Sequence, residues 1–502
     1  MRLKGARTQP LDQPAGRGTR WAGLARRVAA PVGELDIRFT LFAVALTLQN
    51  ALEFPRNIIQ NALGKGLTSV LVFLALGCSL ALLLVALAPT LPSWRWLRSR
   101  KLQVALLVLV LAAVPTGLGQ LGKSVAAGFQ APSYPNDGTT LDHYAARQLL
   151  DGHNPYVTSD IVAANRALGQ DATHTTPLRC GAFGAFAPTQ YPTNTQLRQA
   201  FANEPINQSG KDCAFESHVS YPALAFLPLV PFVWAGFPSV VIFFALCYLA
   251  LVALVLTSLP RALRPWLLLF AIADTPLLDA VAGGVLDVFY ILLLFVAWRW
   301  LRRPVLSAVF LGLALAAKQL AWFFLPFYAI LVWRRYGWRQ AAARLAGAGA
   351  LFLAINLPFM LNDFHAWTAG ILAPEVDKMF PLGNGLILLA RIGLTPLLPS
   401  AAYTALEVVA MVVCVVWYWR NCERMPEAGF VLAVLPLFFA WRSLTTYFYF
   451  VALPALALLL ARYWQSGEQR YRLSSAGIAP ALTGDAQPNP DESPGARPER
   501  RP

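Results

Sequence analysis

The chain has 502 residues, of which 57% are hydrophobic and 13% charged, with a mean hydropathy of +0.50. Soluble domains carry about 25% charged residues, so this balance excludes an ordinary soluble enzyme and indicates a polytopic membrane protein. The formal net charge of +15 does not indicate nucleic acid, because the basic residues cluster between apolar runs, where membrane topology accounts for them.

In chain order, residues 1–33 are basic and rich in Gly and Pro, and read as a disordered cytoplasmic arm. Apolar runs follow at 39–54, 67–88 and 102–118, with a basic, Trp-containing inside marker at 94–101. The third run delivers residues 124–220, one large extracytoplasmic loop. Tyr221-Pro222 then opens an apolar piece too short to cross, before a span at 240–256. Two hairpins come next. The first pairs 266–281 with 288–298 around a tip from Asp279 to Asp287; the second pairs 305–316 with 322–333 around Lys318-Gln319. A span at 347–360 leads to an outer segment at 361–400, whose residues 386–394 are expected to lie in the interface. The last spans fall at 403–419, 429–440 and 447–460, and residues 466–502 read as a disordered cytoplasmic tail. The expected fold is all-α: about twelve transmembrane helices within 34–465, short helices in the large loop, and both termini cytoplasmic.

Inside the loop, LDHYAARQLLDGHNPY is the most specific stretch. Its apolar spacing predicts a short amphipathic helix, with Thr139-Thr140-Leu141-Asp142 as capping box and Asp151-Gly152 as stop. Two readings of Asp142 stand side by side: a helix cap, or an acid or base held at the membrane surface. Asp142, Asp151, Asp279, Asp287, Lys318 and Arg442 all map to the outer side, a pattern that fits one water-filled cavity opening outward. Against this, Lys318 reads equally as snorkelling from a hairpin turn. Arg442, beside Trp441, Tyr447 and Tyr449, reads equally as part of an interface belt.

No dinucleotide fingerprint, phosphate loop, HExxH or CxxC pair is present. His143, His153, His174 and His218 lack metal-ligand spacing and read as solvated loop residues; no cofactor is required, and a divalent metal is possible but not indicated. Cys180 and Cys213 are the two cysteines of the loop. They are expected to form a disulfide if it faces an oxidising compartment, two free thiols being the alternative.

These residues carry a resemblance. LDHYAARQLLDGHNPY, the later SYPALAFLPLVP at Ser220 to Pro231, and the Gly284–Lys318 stretch with its "GG..D" tip and "LGLALAAK" resemble GT-C class glycosyltransferases. More narrowly, they are similar to bacterial polyprenyl-phosphate-mannose-dependent mannosyltransferases. The resemblance implies a multi-pass enzyme of the bacterial cell membrane that moves a sugar from a polyprenyl-phosphate donor to a glycan or lipid acceptor hydroxyl. It implies Asp142 as general base, with Lys318 and Arg442 meeting the phosphate and Asp287, Tyr144 and Tyr221 on the substrate side. The rival expectation is a twelve-span secondary transporter using the same charges, which predicts a pseudo-repeat and short outer loops.

Overall fold

The computed structural model describes residues 37–51, 56–91, 95–206 and 214–475; the expected basic arm and most of the expected tail lie outside them. The described chain is almost entirely helical. α1 (Ile37–Ala51), α2 (Arg56–Leu87) and α3 (Arg100–Ala127) precede the loop. The loop carries α4 (Asp137–Leu150), α5 (Pro155–Thr158), α6 (Ile161–Leu168) and α7 (Asn194–Asn203). After it come the one-turn α8 (Val230–Trp234) and then α9 (Val241–Thr257).

α10 (Arg264–Ala273) and α11 (Thr275–Ala282) replace the single expected arm at 266–281, bent by 62° between them. The break has a sequence cause. Asp274 caps α11 by accepting from the Leu277 backbone N–H at 3.2 Å, and Pro276 sits in the first turn, where a missing N–H costs nothing. α12 (Asp287–Arg299) and α13 (Pro304–Ala317) follow, then a 3₁₀ stretch (Gln319–Phe324) and α14 (Leu325–Tyr336). α15 (Trp338–Asn362) and α16 (Phe364–Val376) lead to α17 (Ile387–Arg391), α18 (Ser400–Asn421), α19 (Ala428–Val434), α20 (Thr446–Tyr449) and α21 (Ala452–Ser475). In the segment expected at the interface, Ile387 and Leu388 of α17 are buried in the protein while Leu394 is exposed. α21 runs past the expected tail boundary at 466.

Five helices among the described residues are long and apolar enough to cross a bilayer, or six if the bent α10–α11 pair is one span. The expected twelve also counted apolar helices that are 10–17 residues long here, such as α9 and α13. A straight span needs about 20 residues, so these cross only with tilt or local thinning. The long helices turn apolar side chains outward. On α18, Val408, Val409, Val412, Val413 and Val416 are all exposed, a stripe that water would not tolerate and lipid does. The chain is a membrane protein.

The loop builds its own small core from Leu141, Ile161, Val162, Phe183, Leu197 and Phe215, closed by Phe380 from the segment after α16. Backbone pairing fixes that segment. Pro177 bridges Phe215 and Leu178 bridges Met379, both antiparallel, and β1 (Leu382–Gly383) then runs parallel to β2 (Arg442–Ser443). Arg442 is thereby tied by backbone hydrogen bonds to the segment that closes the loop's core.

Candidate active site

α4 does not start with the expected capping box. Asn136 is the N-cap, its side chain accepting from the Thr139 N–H at 2.8 Å, and the helix begins at Asp137. Asp142 therefore lies in the second turn, beyond reach of the cap, and the cap reading of this residue is overturned. The expected stop holds: Asp151 is the C-cap and Gly152 takes φ +81°.

The side of α4 that carries Asp142 is fixed by the residues three and four positions before it, which share its face. Thr139 donates to the Gly284 carbonyl at 2.7 Å, while Asn136 donates to the Gly283 carbonyl at 3.2 Å. Gly284 sits at φ +73°, and a Cβ there would come within 2.8 Å of the Thr139 methyl. Gly138 lies against the Tyr221 ring, which a Cβ would meet at 3.3 Å. The double-glycine tip thus docks on α4, and α12 with Asp287 begins three residues beyond it.

Across this junction lies Lys318. It caps α13 in an extended conformation, where the helix gives way to the 3₁₀ turn. Its ammonium donates to Asp287 Oδ2 at 2.7 Å, both side chains being almost wholly buried, and it stands 5.0 Å from the Tyr221 ring centroid and 5.9 Å from that of Tyr447. Burial in a specific ion pair overturns snorkelling as the reading of Lys318. Asp287 Oδ1 is buried with no hydrogen-bond partner.

Asp142 is 2% exposed, and among the described residues its carboxylate makes no hydrogen bond. Burial pushes its carboxyl up to about 8; the nearby Lys318 ammonium opposes the shift and Asp137 adds to it. Burial likewise raises the Tyr221 phenol well above its usual value, with Asp142 and Asp287 adding to the shift and Arg442 opposing it, so all four groups share one electrostatic neighbourhood.

Of the residues expected from sequence, Asp142, Asp287, Lys318 and Tyr221 come together, and Arg442 flanks them with its guanidinium 2.8 Å from the Met379 sulfur. Tyr144 does not join them. It is half-buried on another face of α4, where Arg147, Asp160 and Asp151 set its field. Cys213 lies outside the described residues, so the expected pairing with Cys180 does too. Three contributors were missed. Tyr447 stacks on Lys318, Tyr156 donates to the Tyr221 carbonyl at 2.7 Å, and the Gln319 amide ties Ser220 and Ile371 carbonyls together. Tyr156 closes the quoted LDHYAARQLLDGHNPY run and Gln319 adjoins Lys318, which was the available signal.

Two of the four loop histidines are not solvated. His143 is buried with Nδ1 2.8 Å from the Tyr134 hydroxyl, and burial pulls it down to about 4, a neutral structural ring. His218 lies between Glu216 and Asp377. At the far end of α12, a cavity of about 680 Å³ is lined by Arg299, Arg302, Arg303, Arg335 and Arg462 with Glu427, and contains none of the expected site residues.

Residues 219–441 match the family model for glycosyltransferase family 87. No curated protein and no solved structure gave a significant match. The matched stretch contains Tyr221, Asp287 and Lys318, begins after Asp142 and ends one residue before Arg442. It supports a membrane glycosyltransferase and does not favour the transporter alternative.

Proposed function

We propose that the chain is a GT-C type glycosyltransferase that moves a hexosyl or pentosyl unit from a polyprenyl-phosphate sugar to an acceptor hydroxyl at the extracytoplasmic face. Asp142 is the general base. The observation that carries this reading is a buried carboxylate with no hydrogen bond of its own, set beside a buried Lys318–Asp287 pair.

The chemistry asks for little else. The acceptor oxygen attacks the sugar's anomeric carbon while Asp142 takes its proton. The bond from that carbon to the phosphate oxygen breaks, and its electron pair leaves with the polyprenyl phosphate. A base works best when its pKa lies near the working pH, which burial arranges for Asp142. The leaving phosphate gains charge as the bond breaks, so a fixed cation binds the transition state more tightly than the donor. Lys318 supplies it, aimed by Asp287 and by the Tyr221 and Tyr447 rings, and Arg442 adds a second positive charge to the same neighbourhood. Asp287 Oδ1, which has no hydrogen-bond partner, accepts from a donor hydroxyl. The isoprenoid tail lies along the apolar helices.

The test uses the full chain purified in detergent with a panel of labelled polyprenyl-phosphate sugars and lipid or glycan acceptors. Transfer without any membrane gradient is the expected result. Gradient-driven solute uptake into sealed vesicles, with no transfer across the panel, overturns it in favour of a transporter.

A further inference from the structure

Glu216 and His218 stand two residues apart on the stretch that leads into Tyr221, and the chain bends at His218 so that its backbone N–H meets the Glu216 carboxylate at 2.8 Å. That stretch is anchored by the Glu216 N–H, which donates to the Thr176 carbonyl at 2.9 Å. Asp377 reaches the same point from the other side as the C-cap of α16, and the chain beyond it is held by the Arg179 N–H donating to the Lys378 carbonyl at 2.8 Å. His218 Nδ1 is 3.1 Å from Glu216 Oε1 and 3.4 Å from Asp377 Oδ2, and one ligand atom from each of the three residues lies within 4.8 Å of the others.

The oxygens outnumber the donors. Glu216 Oε1 already accepts from the His218 backbone N–H at 2.8 Å. Glu216 Oε2 is buried with no partner, on a residue only 4% exposed, and Asp377 Oδ2 is buried without a hydrogen bond as well. Among the described residues no Lys or Arg forms an ion pair with Glu216 or Asp377. Two carboxylates on one imidazole leave an excess of negative charge that a shared proton or a bound cation must balance.

We propose that Glu216, His218 and Asp377 form a divalent transition-metal site of the zinc type. The donor set fits. One imidazole nitrogen and two carboxylate oxygens suit a borderline cation, and a tetrahedral ion with bonds of about 2.0–2.1 Å needs ligand atoms about 3.3–3.4 Å apart. The observed 3.1 and 3.4 Å separations lie near that edge, and all three ligand atoms fall within 4.8 Å of one another. A dication with neutral His218 cancels both carboxylate charges. His218 and Asp377 keep about a fifth of their side-chain surface exposed, which leaves room for water as a fourth ligand. The ion straps the stretch that presents Tyr221 to the segment that runs on through Met379 to the Arg442 strand pair. This site stands independently of the sugar-transfer reading.

The test is metal binding by the full chain purified in detergent, stripped with EDTA and titrated with Zn²⁺. About one equivalent should bind and raise the Tm, because a ligand that binds the folded state stabilises it by mass action. Co²⁺ should give a visible absorption band at the same stoichiometry. Glu216→Gln and His218→Ala should lose the binding and the Tm response. If stripped wild-type protein takes up no Zn²⁺ and its Tm does not move, the three residues share protons only and the proposal fails, whether or not the variants fold. Neither readout depends on sugar transfer, so failure here and failure of the transferase reading are separable.

Discussion

Two buried charge clusters sit on the loop side of this protein, each built from two carboxylates and one nitrogen base, and they resolve the same imbalance differently. In one, Lys318 and Asp287 close on each other at 2.7 Å, and the second carboxylate, Asp142, stands apart with no hydrogen bond. In the other, both carboxylates converge on one imidazole, and an oxygen of each is left without a hydrogen bond. The first arrangement leaves one isolated acid whose charge is settled by a single proton, and burial sets that proton's affinity at about 8. The second concentrates its excess at a point, which suits a cation. The proposed base belongs to the first cluster and the proposed ion site to the second.

The largest expected effect is on the isolated acid. Asp142→Asn keeps the shape and removes the base, so single-turnover transfer should fall about 10²–10⁴-fold while donor affinity stays nearly unchanged. Equal loss of donor binding would mean that Asp142 is part of the binding pair and that the contrast between the clusters is drawn in the wrong place.

Lys318→Ala should act differently. Removing one partner of a buried pair leaves Asp287 unpaired, a cost of about 3–5 kcal/mol in stability, along with weaker donor binding and slower transfer. The double variant with Asp287→Ala should recover stability without recovering transfer. A double variant as unstable as the single one would show that the two charges are not coupled.

How far the sequence reached follows from the range of each interaction. The spacing around Asp142 was enough to predict the amphipathic helix that carries it, because amphipathic periodicity is local, but it left the residue open between a cap and an acid or base. The start of that helix was misjudged because Asn136 caps it one turn earlier, its side-chain oxygen accepting from both the N–H and the hydroxyl of Thr139. Asp287 and Lys318 both declared themselves as charges at hairpin tips, although their direct pairing was not foreseen. The Glu216–His218–Asp377 cluster was illegible. Its third member arrives from beyond α16, so no local spacing could announce it, and His218 read as a solvated loop residue. The bend at Asp274 was legible in principle from an Asp followed two residues later by Pro, but the apolar run around it looked continuous.

A pH profile sharpens the comparison at intermediate size. As a base, Asp142 works only when ionised, so kcat/KM should rise with pH up to about 8, roughly tenfold per unit on the acid side, and level off above. Asp142→Asn should flatten that limb. A limb that survives the substitution assigns it to another group.

The docking of the two halves can be tested away from any charge. Gly284→Ala places a Cβ at φ +73° and 2.8 Å from the Thr139 methyl, a strain of about 1–3 kcal/mol at the contact that sets Asp142 against the α12 start. Transfer should fall about tenfold with the Zn²⁺ response of the other cluster intact, because the tight contact lies between α4 and the glycine tip, with Val241 of α9 at an ordinary 3.4 Å. Loss of both together would show that the clusters are not independent.

The smallest effect should come from Asp151→Asn, and it is the control on which the assignment of the base depends. Asp151 belongs to the same helix and the same sequence motif as Asp142, so a scan by residue type cannot separate them. Their surroundings do. Asp151 is exposed at the helix C-terminus, where its N–H bonds the Arg147 carbonyl and the positive φ of Gly152 completes the turn. Neither feature uses the carboxylate, and a negative charge at that end of a helix is mildly unfavourable. Asn tolerates such positions well, so stability should change by a few tenths of a kcal/mol at most and transfer by less than about twofold. Measured side by side, an inactive Asp151→Asn beside a normal Asp142→Asn would move the chemistry to the exposed end of α4, and burial would no longer be what selects the base.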